Sequence, residues 1–470
     1  MQLMTVNRVC RIAAVALVSC ALILVPSAAD AQSGSSVNAY SPYTMFGIGE
    51  LGSAGNTVMR SMGGTGVAWR SSQMVSTLNP AGYSATMRKS FIFDFSAEGN
   101  FLMNRQTKYD EAGNALRTAK NAKNTINFHE IAIQFPLAKN LGFGLSLSPY
   151  SSVGYAMTTT EESDDIWGTI GRVLYSYSGD GDVTEVKAGI GWEPFKNFSI
   201  GIAAKYYWGN IQHNFASSVA NDFVGTGTYA SAIGLDDYAI SNFKFQVGVQ
   251  WSAIANNKRM LTFGATYDYG GSLRPKLTKT VAINAPNGYT ASTTVMHEGS
   301  RSQMRLPHQV NAGMMYQDTR FTVGFDYEYQ SWGGNQGVFD EDIYGGMKVE
   351  YNDTNTFKLG FEYTPNRFDV RRYLRRMSYR VGGRYGDYYQ TYHGKRLTQY
   401  AVTAGIGFPI RFMGASSIDL AFEYGNRGTM GSVVNDMGKR IGLIRQDYFK
   451  VSIGLSMFGE DYWFVRPKYD

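Results

Sequence analysis

"FSIGIAAKYYWGN", from Phe198 to Asn210, changes character at every step. Phe198, Ile200, Ile202, Ala204, Tyr206 and Trp208 take one side, and Ser199, Gly201, Ala203, Lys205, Tyr207 and Gly209 take the other. Successive side chains of an extended chain point to opposite faces, so this is a strand with one greasy, aromatic face and one small or polar face. The same rhythm recurs in "NFKFQVGVQWS" (Asn242–Ser252), "RFTVGFDYEYQ" (Arg320–Gln330) and "YFKVSIGLSMF" (Tyr448–Phe458). From Lys89 onward about fourteen such segments follow one another, the first spanning 89–103 and the last 445–458; each holds the about 9–11 residues that a tilted strand needs to cross hydrocarbon. An even count returns both ends of the wall to one side.

The connections alternate in length. Short links such as "LAKN" (Leu137–Asn140), "PFKN" (Pro194–Asn197), "NNKR" (Asn256–Arg259) and "QDTR" (Gln317–Arg320) interleave with long polar links at 104–123, 214–240, 274–303 and 334–353. Short turns on one side and long loops on the other distinguish a membrane barrel from a soluble β-sandwich, which shares only the alternation. Aromatics late in their strands or close to turns, among them Trp208, Trp251, Tyr267, Tyr269, Tyr327, Tyr329 and Tyr363, suit a bilayer interface. No stretch of about eighteen consecutive apolar residues follows the N-terminus, so helical spans are excluded. The fold expected is therefore all-β: a transmembrane antiparallel β-barrel of about 14 strands over residues 89–458, closed so that no backbone edge meets lipid.

Residues 1–31 read as an export signal. Arg8 and Arg11 precede the apolar run Ile12–Val25, and Ala29-Asp30-Ala31 offers a cleavage site before Gln32. "LVSC" (Leu17–Cys20) loosely matches a lipoprotein box, but the apolar run continues past it. Both cysteines, Cys10 and Cys20, lie in this leader, which leaves no disulfide framework downstream. The net charge of +6 falls by one when the leader's two arginines and one aspartate are removed, too mild for a nucleic-acid binder. The localisation expected is the bacterial outer membrane.

Between leader and wall, residues 32–88 are rich in Gly, Ser and Met, with a short helical pattern near Ser72–Leu78. Tyr43, Phe46, Met59, Met62, Trp69, Met74 and Leu78 would be stranded in a solvated tail. A plug inside the barrel would shelter them, and inward glycines on the wall (Gly201, Gly264, Gly324, Gly360, Gly454) would leave it room. Here Arg60 followed by "SMGGTGVAWRSSQMVSTLNPA", with Gly63, Gly64 and Gly66 and the closing Asn79, Pro80 and Ala81, resembles the N-terminal hatch of the long-chain fatty-acid transporter (FadL-like) family of outer-membrane channels. The strand count and the hatch-first order agree with that resemblance over nearly the whole mature chain. It implies a channel for hydrophobic compounds, with a ligand bound in the lumen above the hatch and leaving sideways through the wall. Phe46, Met62 and Trp69 are then candidate ligand-lining residues.

"GFGLSLSPYSSVGY" is a regular strand until Pro149, which cannot donate to a ladder. Pro149, Tyr150 and Gly154 are thus candidates for a lateral portal; alternatively Pro149 marks the extracellular rim, where pairing ends anyway. The inferred inward face carries Glu130, Lys205, Lys244, Asp268, Asp326, Glu328, Lys358, Glu362, Asp419 and Glu423, which suits a wet lumen or an ion-paired plug better than a greasy pocket.

Other patterns carry less. "GIGELG" (Gly47, Gly49, Gly52) lacks the preceding strand, the following helix and the distant acid of a dinucleotide site. His129, His213, His297, His308 and His393 show no metal spacing. Asp164-Asp165 and Asp340-Glu341 sit in long loops and read as solvated or cation-binding. No catalytic residues, metal ligands or cofactors are expected. "NRFDVRRYLRRMSYR" (Asn366–Arg380) is the densest charge cluster. Its Arg371, Arg372, Arg375 and Arg376 fall on the periplasmic side, with the i, i+4 spacing of a short amphipathic helix. Lipid phosphates, a partner protein and plain solvation compete as readings. The tail, 459–470, carries Tyr462, Trp463, Phe464 and Val465, which need cover at the barrel base or on a partner.

Two functions follow. One is passive uptake of small hydrophobic compounds through a luminal site and a lateral opening. The other is a non-transporting barrel that acts as a structural subunit or scaffold of a larger outer-membrane assembly. Outer-membrane lipids and lipopolysaccharide are expected partners in both, a small hydrophobic ligand in the first, and outer-membrane or periplasmic proteins in the second.

Overall fold

A computed structural model describes residues 41–110, 112–160, 172–220, 230–256, 258–284, 290–301, 304–333, 349–410, 416–434, 438 and 440–460. The expected export signal, the aromatic tail from 461 onward, and the acidic pairs Asp164-Asp165 and Asp340-Glu341 lie outside the described residues.

Among the described residues, fourteen strands close into an antiparallel barrel. In chain order they are β1 (Ser90–Tyr109), β2 (Ala115–Ala138), β3 (Leu141–Thr160), β4 (Arg172–Phe195), β5 (Phe198–Ala220), β6 (Ser231–Ala255) and β7 (Arg259–Asp268), then β8 (His308–Asp318), β9 (Phe321–Ser331), β10 (Thr354–Tyr363), β11 (Ser378–Tyr392), β12 (Lys395–Ile410), β13 (Ser416–Gly428) and β14 (Ile444–Glu460). Each pairs with its neighbours in sequence, and β1 pairs with β14 from Ser90↔Glu460 to Gln106↔Ile444, which closes the ring. Closure pairs backbone groups that an open sheet would leave facing lipid.

The two faces sort as the alternation requires. Outward side chains form a broad apolar surface that includes Ile202, Phe245, Val249, Phe325 and Leu359, with Trp251 left 55% exposed at the short-turn end. Inward Asp326, Glu362, Asp419 and Glu423 are buried. The short links are tight turns, and Asn140 and Asn197 adopt positive φ in two of them, a conformation asparagine tolerates better than most residues.

The long links differ from the expectation. Residues 104–123 are the continuing hairpin of β1 and β2, paired as far as Tyr109↔Ala115. Likewise β5 and β6 run on to Ala220 and back from Ser231, and Lys276–Asn284 and Thr290–Arg301 form a further hairpin whose first strand pairs with β6. Where water covers both faces the hydrophobic alternation disappears, although the backbone ladder persists. That is why the sequence pattern stopped short at these ends.

Residues 41–88 pack against the inner face of the wall. They contain one α-helical turn, α1 (Thr57–Arg60), capped by the Asn56 side chain, and two 3-10 turns, Pro42–Met45 and Pro80–Ala85, capped by Ser41 and Asn79. The helix expected near Ser72–Leu78 is not formed; wall side chains take up that backbone instead. Gln134 Oε1 accepts from the Ser76 amide at 2.9 Å, the Lys187 ammonium donates to the Thr77 carbonyl, and Gln246 Nε2 donates to the Leu78 carbonyl at 3.2 Å.

Candidate functional site

The glycine-rich stretch is seated by glycines of the wall. A Cβ on Gly201 would lie 2.4 Å from the Ala81 nitrogen, and one on Gly248 would lie 2.1 Å from Asn79 Oδ1. The Asn79-Pro80-Ala81 corner therefore rests directly on bare backbone of β5 and β6. Asn79 completes the seat: its Nδ2 donates to the Val67 carbonyl at 2.8 Å and to the Val249 carbonyl at 3.1 Å. Gly63 and Gly64 both have positive φ, and Gly63 lies against Gly382 and Gly383 of β11. Gly66 donates its amide to Asp326 Oδ2 at 2.7 Å, as does Val67 at 3.0 Å. The other four glycines singled out on the wall (Gly264, Gly324, Gly360, Gly454) also lie against this segment. Gly248 and Gly382 belong to the same seat; the place of Gly248 between Val247 and Val249 was the sequence signal for it.

Charge fills the middle of the lumen in tiers. Lowest, Arg380 of β11 reaches Glu362 of β10 and Asp419 of β13, each at 2.6 Å. In the central tier Arg384 Nη1 donates to Glu423 Oε2 at 3.1 Å, Lys450 lies 3.2 Å from Glu98, and Arg60 of α1 also pairs with Glu98. Burial pushes the Arg60 guanidinium down to about 10, which leaves it charged at neutral pH. Highest, Arg427 Nη2 lies 3.2 Å from Glu50 Oε1 and 4.8 Å over the Tyr388 ring. Burial alone would raise the Glu50 carboxyl, yet Arg427 and Lys450 hold it below its ordinary value. Around these groups lies a cavity of about 220 Å³, bordered by Arg60, His129, Lys187, Lys205, Arg384 and Arg427 among others. Its lining mixes these charged groups with Leu51, Val67, Leu78, Pro149 and Tyr150. Among the described residues no cluster of His, Cys, Asp and Glu is arranged to hold a metal ion.

The candidate lining residues lie elsewhere. Met62 and Trp69 are packed with Met59, Met74 and Met315 between the N-terminal segment and the wall. Phe46 belongs to an aromatic layer nearer the long-loop end, with Tyr43, Tyr155, Tyr389 and Tyr392. None of the three borders the cavity. Any apolar ligand would have to displace these side chains.

At the candidate portal the wall is interrupted. β2 and β3 pair only from Ala138↔Leu141 to Ile131↔Leu147, although both strands continue beyond. Two bulges flank the break: His129 is the extra residue of β2 against β1, and Tyr150 is the extra residue of β3 against β4. Bulges bend their strands and re-aim side chains. Pro149 thus lies in the middle of β3, not at the rim, because β3 pairs with β4 as far as Thr160. The vacated edge is partly taken by the chain itself. Glu50 and Leu51 pair with Ser152 and Ser151, and the Gly52 amide donates to the Tyr150 carbonyl at 2.8 Å. Higher up, the Ser41 amide donates to the Gly154 carbonyl at 2.9 Å. Gly49, at φ +87°, makes this approach possible, since a Cβ there would lie 2.3 Å from the Ser152 carbonyl oxygen. Gly49 and Gly52 of "GIGELG" therefore serve strand docking, while Gly47 lies against Tyr351 and Tyr389. His129, set aside as an isolated histidine, contributes Nε2 at 3.0 Å from the Gly55 carbonyl.

Arg371, Arg372, Arg375 and Arg376 lie in the link between β10 and β11. The expected amphipathic helix is reduced to a 3-10 turn, Tyr373–Arg375; ahead of it Asp369 Oδ1 accepts from the amides of both Arg371 and Arg372 at 2.9 Å.

The chain belongs to the BamG family: a family profile of that description matches residues 12–470. No curated protein sequence matches it. Among solved structures it is similar to a Pseudomonas aeruginosa FadL homologue, at 14% identity and TM-score 0.61, over 87% of this chain and 99% of that one. It is similar also to the Pseudomonas putida toluene transporter TodX, at 15% identity and TM-score 0.53, over 89% of this chain and 100% of that one. These likenesses establish the FadL-like barrel fold; the family to which the chain belongs is BamG rather than that of the fatty-acid transporters.

Proposed function

We propose that this BamG-family barrel is a structural subunit of a larger outer-membrane protein assembly and does not conduct a ligand. The observation that carries this reading is the ion-paired lumen. Arg60, Glu98, Lys450, Arg384 and Glu423 occupy the level at which a hydrophobic compound would have to rest. Removing one partner from such a buried group is costly, so the interior favours staying closed. Residues 41–88 then act as a fixed plug, with Arg60, Gly63, Gly64, Gly66, Asn79, Pro80 and Ala81 as its seat. The family name, BamG, also points towards assembly. The test is depletion of the protein in its host, combined with purification in mild detergent. Loss of other outer-membrane proteins, with a stoichiometric complex recovered around the tagged barrel, supports the reading. A lone barrel whose depletion leaves outer-membrane protein levels unchanged overturns it.

The break between β2 and β3 favours a second reading, passive uptake of small hydrophobic compounds through a wall opening at Pro149, Tyr150 and Gly154. TodX, similar in fold, is described as a toluene transporter. Under this reading Pro149→Val slows uptake of a hydrophobic probe into proteoliposomes and leaves the barrel folded. Unchanged uptake removes the portal.

A further inference from the structure

The loop joining β10 to β11 combines an ordered backbone with side chains left exposed among the described residues. Phe368, Val370 and Leu374 are 89%, 82% and 67% exposed. Between Asn366 and Met377 stand five arginines and a single acid, Asp369. The backbone is held by Asp369, by the Asn366 amide donating to the Arg375 carbonyl at 2.7 Å, and by Arg376 lying 5.0 Å over the Tyr373 ring. Asp369 takes up part of the charge through Arg375 at 3.6 Å, and Glu362 takes Arg367 at 3.4 Å. Asp369 meets Arg371 and Arg372 through their backbone amides, and neither guanidinium forms a close ion pair among the described residues.

The loop is fastened to the lipid-facing side of the wall. Tyr379, on the outward face of β11, donates its hydroxyl to the Leu374 carbonyl at 3.1 Å, and Tyr373 donates to the Pro409 carbonyl at the foot of β12, also at 3.1 Å. Phe321 and Tyr363, stacked 4.9 Å apart at the same end of β9 and β10, belong to the aromatic belt there. Aromatic residues of this kind settle at the interface between hydrocarbon and headgroups. Apolar side chains beside arginines at that level match a surface lying in the headgroup zone.

We propose that Asn366–Met377 is an interfacial anchor that gathers anionic phospholipid headgroups of the periplasmic leaflet. Arg371 and Arg372 supply the charge, and Phe368, Val370 and Leu374 enter the acyl boundary. A soluble acidic protein would satisfy the arginines, but it would leave unexplained why the loop is tied to lipid-facing Tyr379.

The test uses the full-length barrel reconstituted in vesicles, with Phe368→Cys carrying an environment-sensitive fluorophore in a chain freed of Cys10 and Cys20. Brominated phosphatidylglycerol should quench the label more strongly than brominated phosphatidylcholine at equal mole fraction, with about a fivefold local preference per arginine near the surface. The preference should fall in the Arg371→Gln/Arg372→Gln variant, persist in Arg371→Lys/Arg372→Lys, and shrink in 1 M salt, where the screening length is only about 3 Å. Equal quenching by the two lipids overturns the proposal. So does a label that acrylamide reaches and neither lipid quenches.

Discussion

The Glu50 carboxylate and the Arg427 guanidinium, 3.2 Å apart, join the N-terminal segment to β13, four strands round the ring from β3, whose free edge Glu50 and Leu51 help to fill. The pair therefore ties the internal strand that pairs with β3 to a strand elsewhere in the wall.

Glu50→Ala should release that strand. Breaking a buried pair leaves a charge without a partner and costs about 3–5 kcal/mol. Hydrogen exchange at the Leu51 and Gly52 amides is expected to rise by at least about tenfold, with the amides of β9 and β10 unchanged. Because the carboxyl is held below its ordinary 4.5, its stabilising contribution is fully present above that value and is lost as pH falls through the lower folded value. The wild-type exchange rate at Gly52, corrected for intrinsic pH dependence, should therefore be flat from neutral pH down to that region and rise only below it.

Gly201→Val should unseat the Asn79-Pro80-Ala81 corner, since a Cβ there meets the Ala81 nitrogen at 2.4 Å. Overpacking of this kind costs about 1–3 kcal/mol, enough to shift the plug while the closed wall survives. Proteoliposome swelling with small sugars is expected to quicken, and the barrel should keep its β-rich circular dichroism. Ile202→Val, one residue away on the outward face, is the control and should change neither.

Arg380→Gln should destabilise the base of the barrel, because it leaves Glu362 and Asp419 facing each other without their shared cation. A loss of about 3–5 kcal/mol is expected from the unfolding midpoint in denaturant. A companion variant that also carries Glu362→Gln and Asp419→Asn should recover much of it.

Asp369 braces the β10–β11 loop through the amides of Arg372 and Arg371, which hold its carboxyl below the ordinary 3.8. That brace is present above 3.8 and is lost as pH falls through the lower folded value. A spin label at Phe368 should stay restricted between neutral pH and about pH 5 and loosen only in stronger acid. Asp369→Ala should loosen it at neutral pH.

Much of the barrel was legible because a bilayer imposes its own period on the chain. Ile200, Ile202 and Trp208 must face lipid, and nothing polar can take their place. The burial of the N-terminal segment was legible by exclusion, since Met59, Met62 and Trp69 would have been stranded in a solvated tail. The segment's local structure was not. The stretch Ser72–Leu78 reads as helical in isolation, yet Gln134, Lys187 and Gln246, distant in sequence, supply the hydrogen bonds that a helix would have supplied to itself. The wall break was half legible: Pro149 marks a strand that cannot pair normally, but the bulge at His129 leaves no composition signature. The luminal charge could be placed on the inward face, whereas its pairing across strands, as in Arg380 between Glu362 and Asp419, depends on register that periodicity alone does not fix.

The seam between Ser90–Gln106 and Ile444–Glu460 has a consequence for how the molecule is made. The first wall strand must wait, with one side unsatisfied, until the last residues of the wall have been synthesised and exported. By then residues 41–88 have long preceded them. The cylinder is therefore zipped shut around a filling already in hand, and a chain delivered without its C-terminal strand would present to the membrane an open sheet with its contents exposed.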